Sequence, residues 1–239
     1  MECIHFEQVS KYYGKKRAID GLTFRLDCGE SMALIGPNGA GKSTTLKILA
    51  GILKPDSGSV SISGYDPSTN DARKIVGYLP EDAAPYFTLS VRENLEYIGA
   101  LRGVQNLNSR MDFLMELLGL GNYRNVKVSA LSRGNRQKLA IALVLIHDPK
   151  VLLLDEPLNY LDIPSQEAIT KYFHSLKATF LVSTHIMSIA ERFTSRILII
   201  NNGRKVWEGD IQQIKDQSNR SNVSVEDLIT RIMGGQLEL

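Results

Sequence analysis

The sequence predicts an α/β fold with a mainly parallel central sheet. Three strongly apolar runs indicate this sheet, because strands that are covered on both faces carry apolar residues almost continuously. Before these runs, short segments alternate between apolar and polar residues, which is typical of strands with one solvated face. With 239 residues, the chain is long enough for one large domain or for one domain with a subdomain. The apolar runs cover residues 151–154, 179–183 and 196–200.

The N-terminal quarter of the chain is predicted to be rich in strands, and we expect an N-terminal antiparallel β-subdomain beside the parallel sheet. A turn-prone segment, Asp27-Cys28-Gly29, precedes the most apolar of these strands. The apolar positions Leu46, Leu49 and Ala50 then predict a helix over residues 44–50. The predicted strands cover residues 4–9, 22–26, 31–35 and 59–62.

Past the N-terminal strands the pattern becomes helical. A capping box of Ser90 and Glu93 predicts the start of one helix, because their side chains can satisfy free N–H groups reciprocally. Two further helices are expected over residues 108–118 and from Ser132 onward. We therefore predict an α-helical subdomain over about residues 84–146, inserted into the α/β core.

The α/β alternation then returns and is predicted to close with an edge strand over residues 205–207. A polar stretch over residues 216–222 is expected to separate a last helix, with Ser224 as its N-cap. We expect this helix to pack on its own domain, and a dimer or partner contact is the alternative. We therefore divide the chain into a main domain over residues 1–215 and a short helical extension over residues 216–239. The apolar face of the last helix comprises Val225, Leu228, Ile229, Ile232 and Met233.

Composition narrows the functional class. A net charge of +2 gives no support to nucleic-acid binding, and a small basic cluster over residues 11–17 is expected to be a solvated loop or to lie near phosphates or lipid headgroups. Cys3 and Cys28 have no metal or redox spacing, so we expect a reducing compartment and no disulfide. The longest apolar run, residues 139–146, is far short of the ~20 residues that span a bilayer. No secretory signal is visible at the N-terminus.

The most informative motif is the glycine-rich segment over residues 36–43, which fits the phosphate-binding pattern G-x-x-x-x-G-K-[ST]. It lies between a predicted strand and a predicted helix, as this pattern requires. Glycines let backbone N–H groups turn toward a phosphate, and the helix N-terminus adds a positive dipole. Lys42 is predicted to bind the β- and γ-phosphates, and the Ser43 hydroxyl to ligate Mg²⁺. The predicted nucleotide contacts are Gly36, Pro37, Asn38, Gly39, Ala40, Gly41, Lys42, Ser43 and Thr44.

Two carboxylates follow the buried strand over residues 151–154. In an open parallel sheet the carboxyl end of such a strand lies beside the phosphate loop. Asp155 is therefore predicted to hold Mg²⁺, through water, and Glu156 to polarise an attacking water. The alternative is a pair of solvent-facing acids after a core strand, which the phosphate loop in the same chain makes the weaker interpretation.

A third motif, Leu-Ser-Arg-Gly-Asn-Arg-Gln-Lys over residues 131–138, stands directly before that strand. Together with the phosphate loop and the two acids, in this order, it resembles the signature L-S-G-G-Q-x-x-[KR] of the nucleotide-binding subunits of ATP-binding-cassette (ABC) transporters. The resemblance covers residues 2 to about 210 and implies a P-loop NTPase core, so that residues 1–215 would be an ABC ATPase domain. It also implies that Ser132 and Gly134 contact the phosphate of a nucleotide that another subunit presents.

The same resemblance implies roles for four residues outside these motifs. Tyr13 would stack on adenine, with Tyr12 as the fallback and an ordinary strand-edge tyrosine as the alternative. His185 would contact the γ-phosphate and take part in catalysis, whereas a lone histidine after an apolar strand is otherwise more often a core residue. Asp162 would lie at a dimer interface, and Glu81 would ligate Mg²⁺ or its water.

The chain departs from the family pattern in three places. Glu81 stands where the family has glutamine, and its charge is expected to alter how the site senses a partner. In the signature, Arg133 replaces the first glycine and Asn135 replaces glutamine, while Gly134, the tightest backbone position, is kept. Tyr160 stands where a small residue is usual and is expected to add bulk to the interface. We still expect an active site.

The resemblance implies a Mg-dependent ATPase that powers an ABC transporter by nucleotide-driven, head-to-tail dimerisation. ATP and Mg²⁺ are the implied cofactors; a second ABC subunit, identical or different, and an integral membrane permease are the implied partners, and no nucleic acid is expected. The chain would lie in the cytoplasm, bound through the permease to the inner face of the cell membrane. The Leu79-Pro80-Glu81 segment and the relaxed signature favour an exporter. The alternative is a soluble, non-transport ABC ATPase of the iron–sulfur cluster assembly type.

Overall fold

The computed structural model describes residues 1–221 and 223–234, which form two β-sheets with surrounding helices. The strands are β1 (Glu2–Tyr13), β2 (Lys16–Asp27), β3 (Ser31–Ile35), β4 (Ser57–Ile62), β5 (Val76–Leu79), β6 (Val151–Asp155), β7 (Thr179–Thr184), β8 (Arg196–Asn201) and β9 (Arg204–Asp210). The helices are α1 (Lys42–Leu49), α2 (Asn70–Ile75), α3 (Val91–Leu101), α4 (Leu107–Leu117), α5 (Arg133–Leu145), α6 (Ile163–Ser175), α7 (Met187–Phe193), α8 (Ile211–Ser221) and α9 (Val225–Met233).

The central sheet has six strands in the order β5-β6-β7-β3-β8-β9. All neighbours are parallel except β9, which runs antiparallel to β8 at the edge. Every residue of β6 and β7 is buried, because helices cover both faces of these strands. This arrangement confirms the predicted α/β fold with a mainly parallel sheet.

A smaller antiparallel sheet of β2, β1 and β4 forms the predicted N-terminal β-subdomain. The rings of Phe6 on β1 and Phe24 on β2 stack with their centroids 5.0 Å apart. They pack in one core with Leu46 and Leu49 of α1 and with residues of the central sheet. The helix that follows the glycine-rich loop is therefore fixed between the two sheets.

Helices α3, α4 and α5 pack around a second apolar core that includes Leu95, Leu114 and Leu139, each fully buried. The capping box at the start of α3 is present as predicted, with Ser90 and Glu93 bonding each other's backbone N–H. Gly119 follows α4 with φ +65°, a left-handed conformation that ends the helix at low cost.

Several short elements were not predicted. The strand β5 has only four residues, and α2 and α7 have six and seven, so their hydrophobic periodicity is too brief to be distinctive. The longer α6 was missed as well; the Asp162 side chain caps its N-terminus by accepting from the Ser165 N–H at 2.8 Å.

The C-terminal region differs from the prediction at one point. Residues 216–221, expected to be a polar separator, form the second half of α8. The sequence pattern does not indicate this helix, because most of its residues are polar and its buried face consists only of Ile211, Ile214 and Ser218. The proposed domain boundary at residue 215 thus falls inside a helix. As predicted, α9 starts after Ser224 and buries its apolar face within the chain, against α8 and β8.

The predicted extension includes residues 222 and 235–239, which lie outside the described residues. Across the part of the chain that the structure describes, no helix has both the length and the apolar character needed to cross a membrane.

We predict that Asn94 on α3 is important for stability. Its side chain is fully buried, accepts from the Tyr86 N–H at 2.8 Å and donates to the carbonyls of Tyr86 and Ser90. Asn94→Ala would leave the Tyr86 N–H without its acceptor and remove one donor from each carbonyl. It would lower the free energy of unfolding by about 2 kcal/mol, as measured by urea denaturation. Asn108→Ala, at an exposed position of α4, is the control and should change it by less than about 0.5 kcal/mol. Equal effects of the two changes would contradict this role.

Candidate active site

The loop over residues 36–43 connects the end of β3 to the start of α1, as predicted. At two positions of this loop, the neighbouring backbone leaves room only for glycine. A Cβ atom at Gly36 would lie 2.3 Å from the Ile200 carbonyl oxygen. Gly41 has φ +110°, and a Cβ there would lie 2.6 Å from the Ala18 carbonyl oxygen. The neighbouring backbone therefore fixes the shape of this loop, and no larger residue fits at these positions.

Helix α1 begins without a side-chain cap, because its N-cap residue is Gly41. A helix start of this kind leaves N–H groups for an anion. Lys42, at the first helical position, lies across the loop and donates from Nζ to the carbonyls of Gly36 at 2.7 Å and Pro37 at 3.2 Å. Burial lowers the pKa of the Lys42 ammonium below its usual value, and the nearby carboxylates, Glu156 first among them, oppose this shift.

Two buried acids stand at the carboxyl end of β6, where Asp155 is 2% and Glu156 is 5% exposed. Asp155 accepts a hydrogen bond from the Ser183 hydroxyl. Glu156 Oε1 accepts from the backbone N–H of His185 at 3.0 Å and lies 2.6 Å from His185 Nδ1. Glu156 Oε2 accepts from the Thr184 hydroxyl at 2.9 Å. The interpretation of these acids as solvent-facing is therefore wrong for this structure.

The strand register explains why these side chains lie close together. Asp155 pairs with Ser183 between β6 and β7, and Ile35 pairs with Thr184 between β3 and β7. The loop after β3, the acids at the end of β6 and the histidine after β7 therefore share one edge of the sheet. His185 lies here, with its side chain 52% exposed, and not in the core.

A cavity of about 410 Å³ opens at this edge. It brings together most of the residues predicted for the nucleotide and the metal. Two further lining residues, Lys16 and Ala18 on β2, were not predicted as site residues, although the basic cluster that contains Lys16 was expected in a loop or near phosphates. The predicted residues that line the cavity are Tyr13, Asn38, Gly39, Gly41, Lys42, Ser43, Thr44, Glu81, Asp155, Glu156 and His185.

The structure distinguishes the two candidate tyrosines. Tyr13 lines the cavity and is 48% exposed, so its ring is accessible to a ligand there. Tyr12 does not line it; the Arg17 guanidinium lies over the Tyr12 ring, 5.2 Å from its centroid. The geometry thus favours Tyr13 over the fallback as an aromatic platform.

The predicted metal ligands suit Mg²⁺ in their chemistry. The Ser43 hydroxyl and the carboxylates of Glu81 and Asp155 line the same cavity, and oxygen donors are the ligands that Mg²⁺ prefers. Within residues 1–221 and 223–234, no three His, Cys, Asp or Glu side chains are arranged to hold a metal by themselves. The donor set fits an ion whose remaining ligands are phosphate oxygens and water.

The signature segment lies apart from this cavity. Ser132 is exposed and caps α5, accepting from the Asn135 N–H at 3.2 Å. A Cβ atom at Gly134 would lie 2.8 Å from the Tyr160 carbonyl oxygen, so this position is as tight as predicted. The Arg133 guanidinium lies 3.4 Å from the centroid of the Tyr160 ring. Two of the departures from the family pattern therefore contact each other, which their separate positions in the sequence did not indicate.

Sequence reasoning also missed Ser183 and Thr184, the hydroxyl donors to the two acids. The sequence feature that could have indicated these donors is the pair of hydroxyl residues directly before His185, at the end of an apolar strand. Many strands end in such residues, and only the pairing of β6 with β7 shows which groups they face.

Comparison with known proteins identifies the family. A family model described as "ABC transporter" matches residues 19–159, more than half of the chain. The Nod factor export ATP-binding protein I of Burkholderia lata is 41% identical over 215 residues, which cover 86% of this chain and 70% of that protein. An uncharacterized ABC transporter ATP-binding protein of Bacillus subtilis (strain 168), YxlF, is 33% identical over 94% of this chain and 77% of its own length.

Solved structures agree with the fold. An ATP-binding subunit of an ABC transporter superposes with a TM-score of 0.87 at 30% identity, covering 96% of this chain and 99% of the other. The ATP-binding cassette MJ0796, in a dimeric post-hydrolysis state bound to ADP and Pi, gives a TM-score of 0.80 at 26% identity and covers 87% of this chain and 98% of its own. From its motifs, its fold and these relatives, the chain belongs to the ATP-binding proteins of the ABC transporter family.

Proposed function

We propose that this chain binds ATP together with Mg²⁺ and hydrolyses it to power an exporter of the ABC family. The observation that carries this proposal is the single cavity in which the phosphate loop, Lys42 and the buried carboxylate of Glu156 meet. Attack of water on a terminal phosphate requires a cation, free backbone N–H groups and a base at one site.

In this proposal the loop and Lys42 hold the phosphates of ATP, and Lys42 exchanges the carbonyls of Gly36 and Pro37 for phosphate oxygens. Ser43, Glu81 and Asp155 hold Mg²⁺, which supplies stabilisation of the charge that develops on the phosphates. Glu156 accepts the proton of the attacking water, and His185 orients the γ-phosphate. Tyr13 stacks on the adenine ring.

The position of the signature segment supports dimerisation. Ser132 and Gly134 lie outside the cavity of their own subunit, so they are free to contact a nucleotide held by a second subunit. A post-hydrolysis structure of the related cassette MJ0796 is dimeric, which supports this arrangement. We infer that ATP closes two such subunits head to tail, with Asp162 and the Arg133–Tyr160 contact at the interface.

A groove on the helical subdomain is our candidate for the permease contact. It has a volume of about 310 Å³ and is lined by residues 77–80 and 83–86 together with residues of helices α3 and α5. Exposed aromatic residues adjoin it: Tyr86 is 51%, Phe87 44% and Tyr97 49% exposed. Clustered aromatic side chains of this kind mark protein interfaces. We propose that a cytoplasmic segment of the permease docks here, which would hold the chain at the inner face of the membrane.

Export, as opposed to import, is supported by the relatives named Nod factor export ATP-binding protein I. The relatives reported above that carry a functional name are transport proteins, which favours a transporter subunit over the alternative of a soluble ATPase for iron–sulfur cluster assembly.

Two substitutions are predicted to separate binding from hydrolysis. Lys42→Ala should weaken ATP binding about ten- to a hundredfold, because charge-assisted hydrogen bonds to the phosphates are lost.

Glu156→Gln should keep ATP affinity and lower kcat about 10²- to 10⁴-fold, since it removes the base. Calorimetric titration with ATP and a phosphate-release assay measure the two effects.

Each change has a matched control. Lys47→Ala lies on α1 outside the cavity, and Glu167→Gln is exposed on α6, so both should behave like the unmodified chain. With ATP and Mg²⁺, Glu156→Gln should also elute from gel filtration at twice the monomer mass. Normal turnover of Glu156→Gln would remove it as the base, and normal ATP affinity of Lys42→Ala would contradict the phosphate contact.

The permease contact has its own prediction. The double change Tyr86→Ser/Tyr97→Ser should leave ATP hydrolysis by the purified chain unchanged, because neither side chain lines the nucleotide cavity. Recovery of a membrane-spanning protein with the chain in mild detergent should fall about tenfold. Tyr65→Ser is the control, since Tyr65 is 45% exposed and lies away from the groove. Unchanged recovery with the double variant would place the permease elsewhere.

A further inference from the structure

Two neighbouring hydroxyl residues at the end of β7 face the two acids at the end of β6, Ser183 toward Asp155 and Thr184 toward Glu156. We propose that Thr184 is a positioning residue for ATP hydrolysis, whose hydroxyl holds the Glu156 carboxylate in place when the His185 ring leaves it for the γ-phosphate. The inference rests on the proposed role of Glu156 as the base, and it adds a residue to which no role has been given.

The direction of the Thr184 hydrogen bond follows from its neighbours. A hydroxyl has one proton to donate and two lone pairs with which to accept. Thr184 Oγ1 accepts from the backbone N–H of Ile186 at 3.2 Å and lies 2.9 Å from Glu156 Oε2. An ionised carboxylate has no proton, so Thr184 donates its proton to Oε2. Thr184 is fully buried, so its hydroxyl is not exposed to bulk solvent.

The two oxygens of Glu156 are used unequally. Oε1 accepts from both the backbone N–H and the ring Nδ1 of His185, at 3.0 and 2.6 Å. Oε2 accepts from Thr184 alone among the hydrogen bonds of the described residues. Each carboxylate oxygen has about two acceptor sites, so the open one belongs to Oε2. Oε2 is therefore the oxygen that can accept a hydrogen bond from an attacking water while the His185 ring contacts Oε1.

The partners also differ in their freedom to move. The His185 side chain is 52% exposed, whereas Thr184 is fully buried at the end of a strand. If the His185 ring turns toward the γ-phosphate, the backbone N–H of His185 remains on Oε1 and the Thr184 hydroxyl on Oε2. Thr184 is then the one side chain, of those described, that still fixes the carboxylate. Its effect should thus appear in turnover and not in ATP binding.

The test is Thr184→Val, which keeps the shape of the side chain and removes the hydroxyl. In the full chain with ATP and Mg²⁺, kcat should fall about ten- to a hundredfold, as expected for a lost hydrogen bond to a charged group. The KM for ATP and the affinity for ATP should stay within about twofold. Thr184→Ser, which restores the donor, should return kcat to within about threefold of the unmodified chain.

Thr179→Val is the matched control. Thr179 lies at the other end of the same strand, is 1% exposed, and accepts from the Gly29 N–H at 2.9 Å. A purely structural effect of losing a buried hydroxyl would lower kcat in both valine variants, which would overturn the proposal. We expect a normal kcat for Thr179→Val.

A double-mutant cycle identifies the group through which Thr184 acts. Adding Thr184→Val to Glu156→Gln should not slow hydrolysis further, because the base is already absent. A further tenfold loss would show a separate role and overturn the proposal, as would a normal kcat of Thr184→Val in a chain that Glu156→Gln inactivates. Normal turnover of Glu156→Gln, or no hydrolysis by the unmodified chain, would instead overturn the proposed function along with this inference.

Discussion

The site depends on the parallel register of three neighbouring strands. β3, β7 and β6 run in the same direction, and their carboxyl ends meet because Ile35 pairs with Thr184 and Asp155 pairs with Ser183. The phosphate loop, the two acids and the histidine each follow one of these strands. A shift of any one strand by a single residue would turn its side chains to the other face and separate these groups. The relative positions of the functional groups are thus determined by the pairing of strands that are distant in the sequence.

The same register makes it possible to bury charge at this edge. An isolated buried carboxylate or ammonium is costly unless hydrogen bonds compensate for the lost water. The structure supplies such partners: Ser183 donates to Asp155, Thr184 and His185 contact Glu156, and Lys42 donates to two carbonyls of its own loop. Some of these partners are exchangeable, in particular the carbonyls that Lys42 contacts and the exposed ring of His185. We infer that ATP binding exchanges these contacts for contacts with phosphate, so that the protein keeps its charges satisfied with and without nucleotide.

The parts of the structure that could be predicted are those in which the physics is local. The glycine pattern over residues 36–43, the acids after an apolar strand and the capping box of α3 each depend on a few consecutive residues, and each lies as predicted. What could not be predicted depends on contacts between distant segments. The donors Ser183 and Thr184 and the contact of Arg133 with Tyr160 follow from packing between elements. The helix α8 was missed for another reason, since its buried face is too narrow to dominate a polar segment.

We infer that ATP binds at the shared carboxyl edge of β3, β6 and β7 and is enclosed there by a second subunit. A structure of the Glu156→Gln variant determined with ATP and Mg²⁺ would reveal both features. We expect two copies related head to tail, with the phosphates over residues 36–43 and the γ-phosphate beside Lys42 of one copy and Ser132 of the other. Nucleotide bound in another cavity, or held at this edge while Ser132 of both copies faces solvent, would contradict it.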